Sequence, residues 1–489
     1  MDDAHGSELR ALLQRAVQYG RAHLSVQTQF LHYYPHSFEG EAHDSIPVAE
    51  NMLFALALIR LKTVDSVSEG VELLKRLLPF QLENGQFPLY IHQYPAAHDA
   101  YLGRRILVIF YFLLRDFAAV IDAESTTVLK RSARRLSAAL CEALEEATPP
   151  PWIRIPSVHA LQMMGGLFED DAFHGMGEQH LAAAWSCVSQ DTVFESQHAA
   201  ELVLALGWTR PETWPAAAHG FWEQFCAQYD PLRGVYCGPC IHERAYDALP
   251  MPSLYDLLCS FHWGRCAAGL NFEAGHLLLA ALIDHRLDPT PGPAVLSASC
   301  LGNAWERVLS ERSSTVLCDR TQFPPEPTHP GFHALRVHWI GAKGLHVAAL
   351  QLHRSVAVRS TRTGATIVYD LELPPLEDEG RRARAWPLGL YLDHHPGLRL
   401  LLAGKQATVF ELGQRVDIEA DGLKASVVVT CVEGQGRWML HVQRGARPAE
   451  RHLSGDARYG GRDTCLLLRT VEQAAPVRLR LEWTMQDGG

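Results

Sequence analysis

The sequence has no long hydrophobic run. A membrane-spanning helix needs about 18 or more apolar residues, and the richest apolar window here, Ile106 to Leu114, is too short. The N-terminal stretch MDDAHGSELRALLQRAVQYG is acidic and amphipathic, and it lacks the basic start and apolar core of a secretory signal. These two absences predict a cytoplasmic protein that has no membrane partner.

An excess of positive charge is also absent. The chain has 44 Lys and Arg against 55 Asp and Glu, which gives a formal net charge of −11 at pH 7. Nucleic-acid-binding proteins normally carry a basic excess or stripe, so no nucleic-acid partner is expected. The balance does not exclude an acidic substrate, because a binding site needs only two or three local cations.

The motifs of the commonest enzyme classes are missing. The absence of a G-x-S-x-G elbow, P-loop, H-E-x-x-H or Rossmann fingerprint removes the commonest hydrolase, kinase and dehydrogenase signatures. The 11 cysteines are scattered and odd in number, as in a protein with reduced thiols. Cys237 and Cys240 form a C-x-x-C without a second pair, and the turn DHHP at 393–396 lacks a third ligand. We therefore expect no metal and no cofactor.

The hydrophobic pattern changes along the chain. Apolar residues first recur at helical spacing and later alternate at a spacing of two. The sequence therefore predicts a helical domain over 1–312, a proline-rich linker over 313–332 and an antiparallel β-sandwich over 333–489. Successive helix pairs predict a closed (α/α) toroid, with an open solenoid as the alternative. Helices are predicted over 7–24, 46–62, 66–82, 100–121, 126–147, 192–207, 212–228, 253–268, 271–286 and 298–311.

The segment with the most candidate chemistry is YDPLRGVYCGPCIHERAYD, residues 229–247. Its prolines and glycines exclude a continuous helix and predict a loop between two helices. Loops of this kind commonly carry the functional residues of a rigid scaffold; the alternative is a surface loop whose aromatic rings cover the mouth of the ring. The loop contains Tyr229, Arg233, Tyr236, His242, Glu243, Arg244 and Tyr246.

A second polar segment precedes this loop by one helix. Glu195 stands at the predicted start of a helix, and His198 follows within the first turn. The helix dipole favours negative charge at such a position, and it would favour a bound anion equally. His198 is therefore a candidate site residue; the alternative is an ordinary solvated histidine.

A third segment follows an Asn-Gly turn. Tyr90 and His92 could form a sugar-stacking wall there, since aromatic side chains bury large faces and keep a polar tip; ordinary structural packing is the alternative. Glu50 and Asn51 open an apolar helix face. For these two, the sequence predicts local packing or hydrogen bonding.

The predicted architecture and two segments of the sequence resemble a known group of enzymes. A helical toroid followed by an antiparallel β domain is similar to the polysaccharide lyases of the heparinase II/III and chondroitin AC lyase type. The stretch GVYCGPCIHERAYD resembles a G-x-Y-x-G-P-x-x-R-A-Y segment of heparinase-like proteins, and FESQHAAELVLAL resembles their E-Y-N-S-P-T-Y segment. The resemblance implies β-elimination beside the carboxylate of a uronic acid, with an acidic oligosaccharide or polysaccharide as the substrate.

The resemblance also implies roles for individual residues. Tyr246 corresponds to the tyrosine that ends the loop motif and would be the general acid or base. His198 would be the second base or a hydrogen-bond donor to the carboxylate. Arg244 would pair with the carboxylate, and Glu195 would orient His198 or bind sugar hydroxyls. The candidate substrate-binding residues are Tyr236, His242, Tyr255, Tyr90 and His92. His262, on the same predicted helix as Tyr255, is a further candidate.

Two other functions stay open from the sequence. A glycoside hydrolase on the same scaffold needs two carboxylic acids, and Glu195 with Glu243 or Asp247 would supply them. A non-catalytic carbohydrate-binding protein is the second alternative, because Ser196 and Gln197 depart from the second motif. The sequence predicts no oligomeric state.

Overall fold

The computed structural model divides the chain into two compact units. The first comprises Met1–Phe225, Ser253–Ala267 and Phe272–Pro289, and the second comprises Cys226–Pro252, Ala268–Asn271 and Thr290–Gly489. The structure describes residues 2–32, 45–188, 196–239, 254–264, 274–300, 302–322, 331–342, 344–353, 355–375, 388–393, 395, 397–448, 462–473 and 475–486.

The first unit is helical. Its helices are α1 (Asp2–Ala22), α2 (Val48–Arg60), α3 (Val64–Leu77), α4 (Gly103–Asp116), α5 (Ala123–Glu146), α6 (Pro151–Phe168), α7 (Asp171–Ser186), α8 (Ser196–Leu206), α9 (Ala216–Ala227), α10 (Leu254–His262) and α11 (Ala274–Leu279). No helix among the described residues has the length and apolar content that a bilayer crossing requires.

The even-numbered helices pack in succession. Helix α2 packs against α4, α4 against α6, α6 against α8, and α8 against α10. Helix α10 then contacts α11, and α11 contacts α2, so the series of contacts returns to its first member. Helices α1, α3, α5 and α7 each pack against one or more members of this series.

Burial shows that α2 is surrounded by other elements. From Val48 to Ile59 nearly every residue is buried, and a helix that is apolar on all sides can be stable only when it is surrounded by other elements. Its neighbour α3 is amphipathic instead, and the Thr63 side chain caps it by accepting a hydrogen bond from the Ser66 amide at 3.3 Å. The pattern of apolar residues thus separates the buried helix α2 from the amphipathic helix α3.

Two helical segments differ from the sequence prediction. The predicted helix over 298–311 is wrong, because the chain there forms two strands and the turn between them. The β structure therefore begins near 295, ahead of the predicted boundary at 312. Conversely, α6 was missed because it contains prolines at positions 151 and 156, and α7 was missed although it contains no proline. Pro151 stands in the first turn, where its missing amide costs nothing.

The second unit is built from antiparallel strands. They are β1 (Tyr229–Asp230), β2 (Val235–Tyr236), β3 (Val295–Cys300), β4 (Asn303–Leu309), β5 (Ser313–Cys318), β6 (Gly331–Gly341), β7 (Gly344–His353), β8 (Ala357–Thr363), β9 (Thr366–Leu373), β10 (Leu388–Leu392), β11 (Arg399–Leu402), β12 (Lys405–Gln406), β13 (Val409–Glu411), β14 (Arg415–Ala420), β15 (Leu423–Glu433), β16 (Arg437–Pro448), β17 (Arg462–Glu472) and β18 (Val477–Gln486).

Two large sheets share one hydrophobic core. The nine-stranded sheet has the order β13-β16-β17-β10-β7-β6-β5-β4-β3, and the seven-stranded sheet has the order β12-β11-β14-β15-β18-β9-β8. Alternate residues of both, such as Leu350 in the first and Trp483 in the second, belong to one buried cluster. The antiparallel β region predicted from the alternating pattern is confirmed. The segment 313–332, which was predicted as a linker, begins with strand β5. Residues 323–330 lie outside the described part of the chain.

Candidate functional site

A stacked pair of rings marks the first turns of α6 and α8. The His198 imidazole lies against the Trp152 indole, with ring centroids 3.9 Å apart and planes inclined by 9°. Both side chains are partly exposed. The stack fixes the plane of the imidazole, because a rotation about its side-chain bonds would lose the contact with the indole face. His198 is therefore presented in one orientation near the N-terminus of α8.

An ion pair lies one turn further along α8. Glu201, three residues after His198 and so on the same helix face, is 7 % exposed and pairs with Arg105 of α4. The negative charge of Glu201 raises the pKa of the Arg105 guanidinium, against the opposing effect of burial. Helix α6 packs against both α4 and α8, so this pair joins two helices that lie on either side of a third.

The residue before Arg105 is also an arginine, Arg104. Burial, and then the charge of Arg105, lower the pKa of Arg104. One terminal nitrogen of Arg104 donates to the Tyr101 carbonyl oxygen at 2.8 Å. Two adjacent cations in the first turn of α4 interact unfavourably with the positive end of the helix dipole. The negative charges of Glu201 and Asp99 offset this effect.

The segment carrying Tyr90 lies beside the start of α2. Tyr90 forms an isolated antiparallel bridge with Pro47, and the Val48 amide donates to the Leu89 carbonyl oxygen at 3.0 Å. The rings of Tyr90 and His92 are parallel, with centroids 5.6 Å apart. Burial raises the pKa of the Tyr90 phenol, and the charge of Glu50 adds to this effect. The Tyr90 phenol therefore ionises less readily than an ordinary tyrosine.

The two polar residues of α2 have different environments. Asn51 is fully buried; its side-chain oxygen accepts from the Leu31 amide at 2.7 Å, and its nitrogen donates to the Leu31 and Pro47 carbonyl oxygens. The predicted structural role of Asn51 is confirmed. Glu50 differs, because its buried Oε2 atom has no hydrogen-bond partner among the described residues.

The 229–247 segment is described as far as Pro239 and begins as a hairpin of β1 and β2. Buried Arg233 pairs with Asp230, with 2.7 Å between Nη1 and Oδ2, and each side chain is almost fully buried. Its Nη2 donates to the carbonyl oxygens of Ser310 and Glu311 at 2.7 and 2.8 Å. The guanidinium therefore fixes the hairpin to the turn between β4 and β5.

The hairpin is tightly packed after β2. The Tyr236 hydroxyl donates to the Pro239 carbonyl oxygen at 3.0 Å. At Gly238, between them, an added β-carbon would clash with the Tyr236 hydroxyl and the Gln228 side chain, so only glycine fits. The Cys237 thiol donates to the Ser314 hydroxyl at 3.3 Å, and burial raises its pKa to about 12. Such a thiol is unreactive at neutral pH.

The two residues proposed on α10 are buried. The Tyr255 hydroxyl donates to the Phe225 carbonyl oxygen, and its ring packs against the Phe225 ring at 4.1 Å. His262 accepts a hydrogen bond from the Leu287 amide at 3.1 Å, and burial lowers its pKa to about 3. Both side chains are thus engaged within the helical unit, which favours a supporting role over direct contact with a ligand.

Part of the predicted site lies outside the described residues. This applies to Glu195, Cys240, His242, Glu243, Arg244, Tyr246 and Asp247. In the DHHP turn, Asp393 and His395 are buried. Within the described ranges no group of His, Cys, Asp or Glu side chains has the arrangement to hold a metal ion.

Four described residues share a position in their helices. Glu50, Arg105, Trp152 and His198 each stand in the first turn of α2, α4, α6 or α8. Sequence reasoning missed Trp152 and the Arg105–Glu201 pair. One sequence signal could have found the pair, because two arginines in the first turn of an apolar helix are unfavourable without a nearby acid.

The comparisons with known proteins bear on the fold. The sequence matches no protein-family model and no curated protein. The structure is similar to that of heparinase III, with a TM-score of 0.53 and 10% sequence identity, over 99% of this chain and 85% of that one. It is also similar to the Streptomyces coelicolor A3 chondroitin AC lyase in complex with chondroitin sulphate, with a TM-score of 0.50 and 11% identity, over 99% and 80% of the two chains. The chain therefore has a polysaccharide lyase fold of the heparinase III and chondroitin AC lyase type.

Proposed function

We propose that this protein is a polysaccharide or oligosaccharide lyase that cleaves uronic-acid glycosides by β-elimination. The observation that carries the proposal is the His198 imidazole, held flat on Trp152 at 3.9 Å beside the Arg105–Glu201 pair, in a chain with the fold of polysaccharide lyases. The return of the helix contacts from α11 to α2 supports a closed (α/α) toroid for the helical unit.

The chemistry sets three requirements. A base removes the weakly acidic C5 proton of the uronic acid, the electron pair forms a double bond to C4, and the C4–oxygen bond breaks. The neighbouring carboxylate must be neutralised by a cation or strong donors so that negative charge can develop on it. An acid then protonates the leaving oxygen.

Four residues are proposed for these roles. Tyr246 is the general acid or base, and His198 is the second base or a donor to the substrate carboxylate. Arg244 neutralises that carboxylate through a bidentate pair, and Glu195 orients His198 or binds sugar hydroxyls. Tyr90 and His92, whose rings stack on each other, form part of the wall that binds the glycan, and His242 is proposed as a further contact.

The proposed substrate is an acidic oligosaccharide or polysaccharide. The chondroitin AC lyase with a similar fold was solved with chondroitin sulphate, which supports a glycan that contains uronic acid. No cofactor is required by the proposed reaction, because a phenol, an imidazole and a guanidinium supply all its proton transfers and charge neutralisation.

A screen of uronic-acid oligosaccharides tests the proposal. The purified protein is incubated with defined tetrasaccharides of unsulfated and sulfated chondroitin, heparan sulfate and hyaluronan, and ultraviolet absorbance is recorded. Elimination leaves a conjugated double bond, so absorbance rises with each bond cleaved. Cleavage to saturated products would instead indicate a hydrolase, and binding without cleavage would indicate a non-catalytic carbohydrate-binding protein.

The stack of Trp152 on His198 leads to a further prediction. Trp152→Ala removes the surface that orients the imidazole, and we expect kcat/KM to fall by about 10- to 100-fold, since small misplacements of a reacting group have effects of this size. Trp152→Phe keeps an aromatic face and should stay within about threefold of the wild type. Equal rates for the alanine and phenylalanine variants would show that the stack does not position His198.

A further inference from the structure

A cavity of about 630 Å³ that opens to solvent lies in the helical unit. Its walls come from the end of α2, the N-terminal part of α3, the end of α4 and the turn that leads from α4 to α5. Small-molecule sites in proteins commonly have volumes of about 300 to 1,000 Å³. The space is therefore large enough for a small organic molecule.

The cavity lies away from the candidate site. Ile59 lines it near the end of α2, nine residues after Glu50, and Asp116 lines it at the end of α4, 11 residues after Arg105. At 1.5 Å per residue along a helix axis, each of these separations is roughly 15 Å. A molecule in the cavity would therefore lie at the opposite ends of α2 and α4 from their first turns.

Apolar atoms supply most of the surface that lines the cavity. Ile59 and Phe117 contribute buried side chains, whereas Val64 and Val120 are 87% and 54% exposed. Single exposed valines are ordinary on protein surfaces, but these two adjoin the same concave space. Covering them with a ligand would remove apolar area from water, which is favourable. The lining therefore favours a ligand with an apolar body.

The three carboxylates of the lining already have cationic partners. Glu72 and Asp122 each lie 3.2 Å from the Lys75 ammonium group. Asp116 lies 2.7 Å from the Arg115 guanidinium. A cationic ligand would have to compete with side chains that the fold already holds beside these acids. The carboxylates therefore do not favour a positively charged ligand.

Lys62 is the fourth charged residue of the lining and differs from the other three. It makes no ion pair with any residue that the structure describes. Its backbone has a φ of 59°, a left-handed conformation that glycine adopts without strain and other residues adopt rarely. The chain thus carries an exposed ammonium group on the cavity wall at a corner where glycine would be less strained. A negatively charged group would complement it.

We propose that the cavity binds a small amphipathic anion, a molecule with an aliphatic chain and one carboxylate. The chain lies against Val64 and Val120, and the carboxylate pairs with the Lys62 ammonium group. This inference goes beyond the proposed function and does not depend on it, because none of these three residues has a part in the elimination reaction.

Three probes of equal chain length test the charge of the ligand. Binding of octanoate, 1-octanol and octylammonium to the whole protein is measured by calorimetry. We expect octanoate to bind about fivefold more tightly than 1-octanol, which is the upper size of the effect of an exposed ion pair, and octylammonium to bind more weakly than either. The inference is wrong if octanoate does not bind at about 1 mM or if octylammonium binds most tightly.

Replacement of Lys62 locates the carboxylate. Lys62→Met keeps the unbranched stem and removes the ammonium group, so octanoate should bind about fivefold more weakly while the affinity for 1-octanol stays the same. Lys130→Met is the matched control, because Lys130 is an exposed lysine of α5 that does not line the cavity. Equal octanoate affinities for Lys62→Met, Lys130→Met and the wild type would place the ligand elsewhere and overturn the inference.

Replacement of Val120 locates the aliphatic chain. Val120→Ser should weaken the binding of octanoate and 1-octanol alike, by about three- to fivefold, because less apolar area is then buried. Val128→Ser is the control, since Val128 is 40% exposed on α5 and lies outside the lining. Val120→Ser should melt within about 2 °C of the wild type. If it unfolds instead, Lys62→Met with 1-octanol as the internal reference still decides the question.

Sedimentation tests whether another copy of the chain occupies the cavity. The inference predicts that the wild type and Val120→Ser sediment with the same mass over a range of protein concentrations. A wild-type dimer that dissociates on Val120→Ser would show that a second copy covers the cavity, and the inference would then be wrong. All these measurements record binding or mass, so a failure of the lyase proposal would leave them valid.

Discussion

Replacing Tyr246 by Phe is expected to lower turnover by about 10²- to 10⁴-fold, the range typical of removing a general acid or base. The substitution deletes one oxygen and keeps the ring, so the loss should appear in kcat with little change in KM. The measurement is the initial rate of ultraviolet-absorbing product at saturating substrate, together with a melting curve that shows the variant to be folded.

A second tyrosine provides the matched control. Tyr369 is fully buried in the β unit, and its hydroxyl donates to the Ala334 carbonyl oxygen at 3.2 Å. Tyr369→Phe also removes one hydroxyl, and it should lower stability by about 1 kcal/mol without changing kcat. Full turnover by Tyr246→Phe would remove Tyr246 from the catalytic assignment, and equal losses for both variants would indicate a general effect on folding.

Replacing Arg233 by Met is expected to destabilise the protein by about 3–5 kcal/mol, because removing one partner of a buried ion pair leaves the other charge buried and unpaired. The Asp230 carboxylate would lose its partner at 2.7 Å, and the Ser310 and Glu311 carbonyl oxygens would lose their donor. The measurement is the midpoint of chemical unfolding. Unfolding is monitored by a signal from β structure, such as far-ultraviolet circular dichroism.

An exposed ion pair in the same unit shows how much burial matters. Arg480 lies 2.9 Å from Asp370, and the two side chains are 44% and 50% exposed. Arg480→Met should cost less than about 1 kcal/mol, as is usual for surface pairs. Similar losses for Arg233→Met and Arg480→Met would contradict the role assigned to the buried guanidinium. A double variant Asp230→Asn, Arg233→Met should recover part of the lost stability, because no uncompensated charge then remains.

The sequence predicted regular structure wherever local patterns were uniform. The alternating residues of β9 lie in the predicted β region, and the apolar surface of α2 lies within the helix predicted over 46–62. The prediction failed where single residues broke the pattern for tertiary reasons. In β4 the charged side chain of Arg307 points to a buried position, so the alternation of apolar and polar residues was hidden and a helix was predicted instead.

The residues of the candidate site also divide into those that the sequence indicated and those that it could not indicate. The sequence indicated His198, Tyr90 and His92 because residue type and position near a turn or a helix start are local properties. It could not indicate that Trp152 lies under His198, or that Arg105 pairs with Glu201, 96 positions away. Partners so distant along the chain meet only through the order in which helices pack, and helical periodicity carries no information about that order.

The sequence by itself determined the change from helical to β structure, the charge balance that argues against nucleic-acid binding, and the tyrosine-rich, glycine-broken segment that resembles a lyase motif. These follow from composition and short-range spacing, which act within a few residues. Tertiary structure alone decided that His198 stacks on Trp152, that Arg105 pairs with Glu201, and that the Oε2 atom of Glu50 is buried with no hydrogen-bond partner in the described part of the chain. Those features depend on contacts between helices distant in the chain, where burial changes the energy of each charge and hydrogen bond.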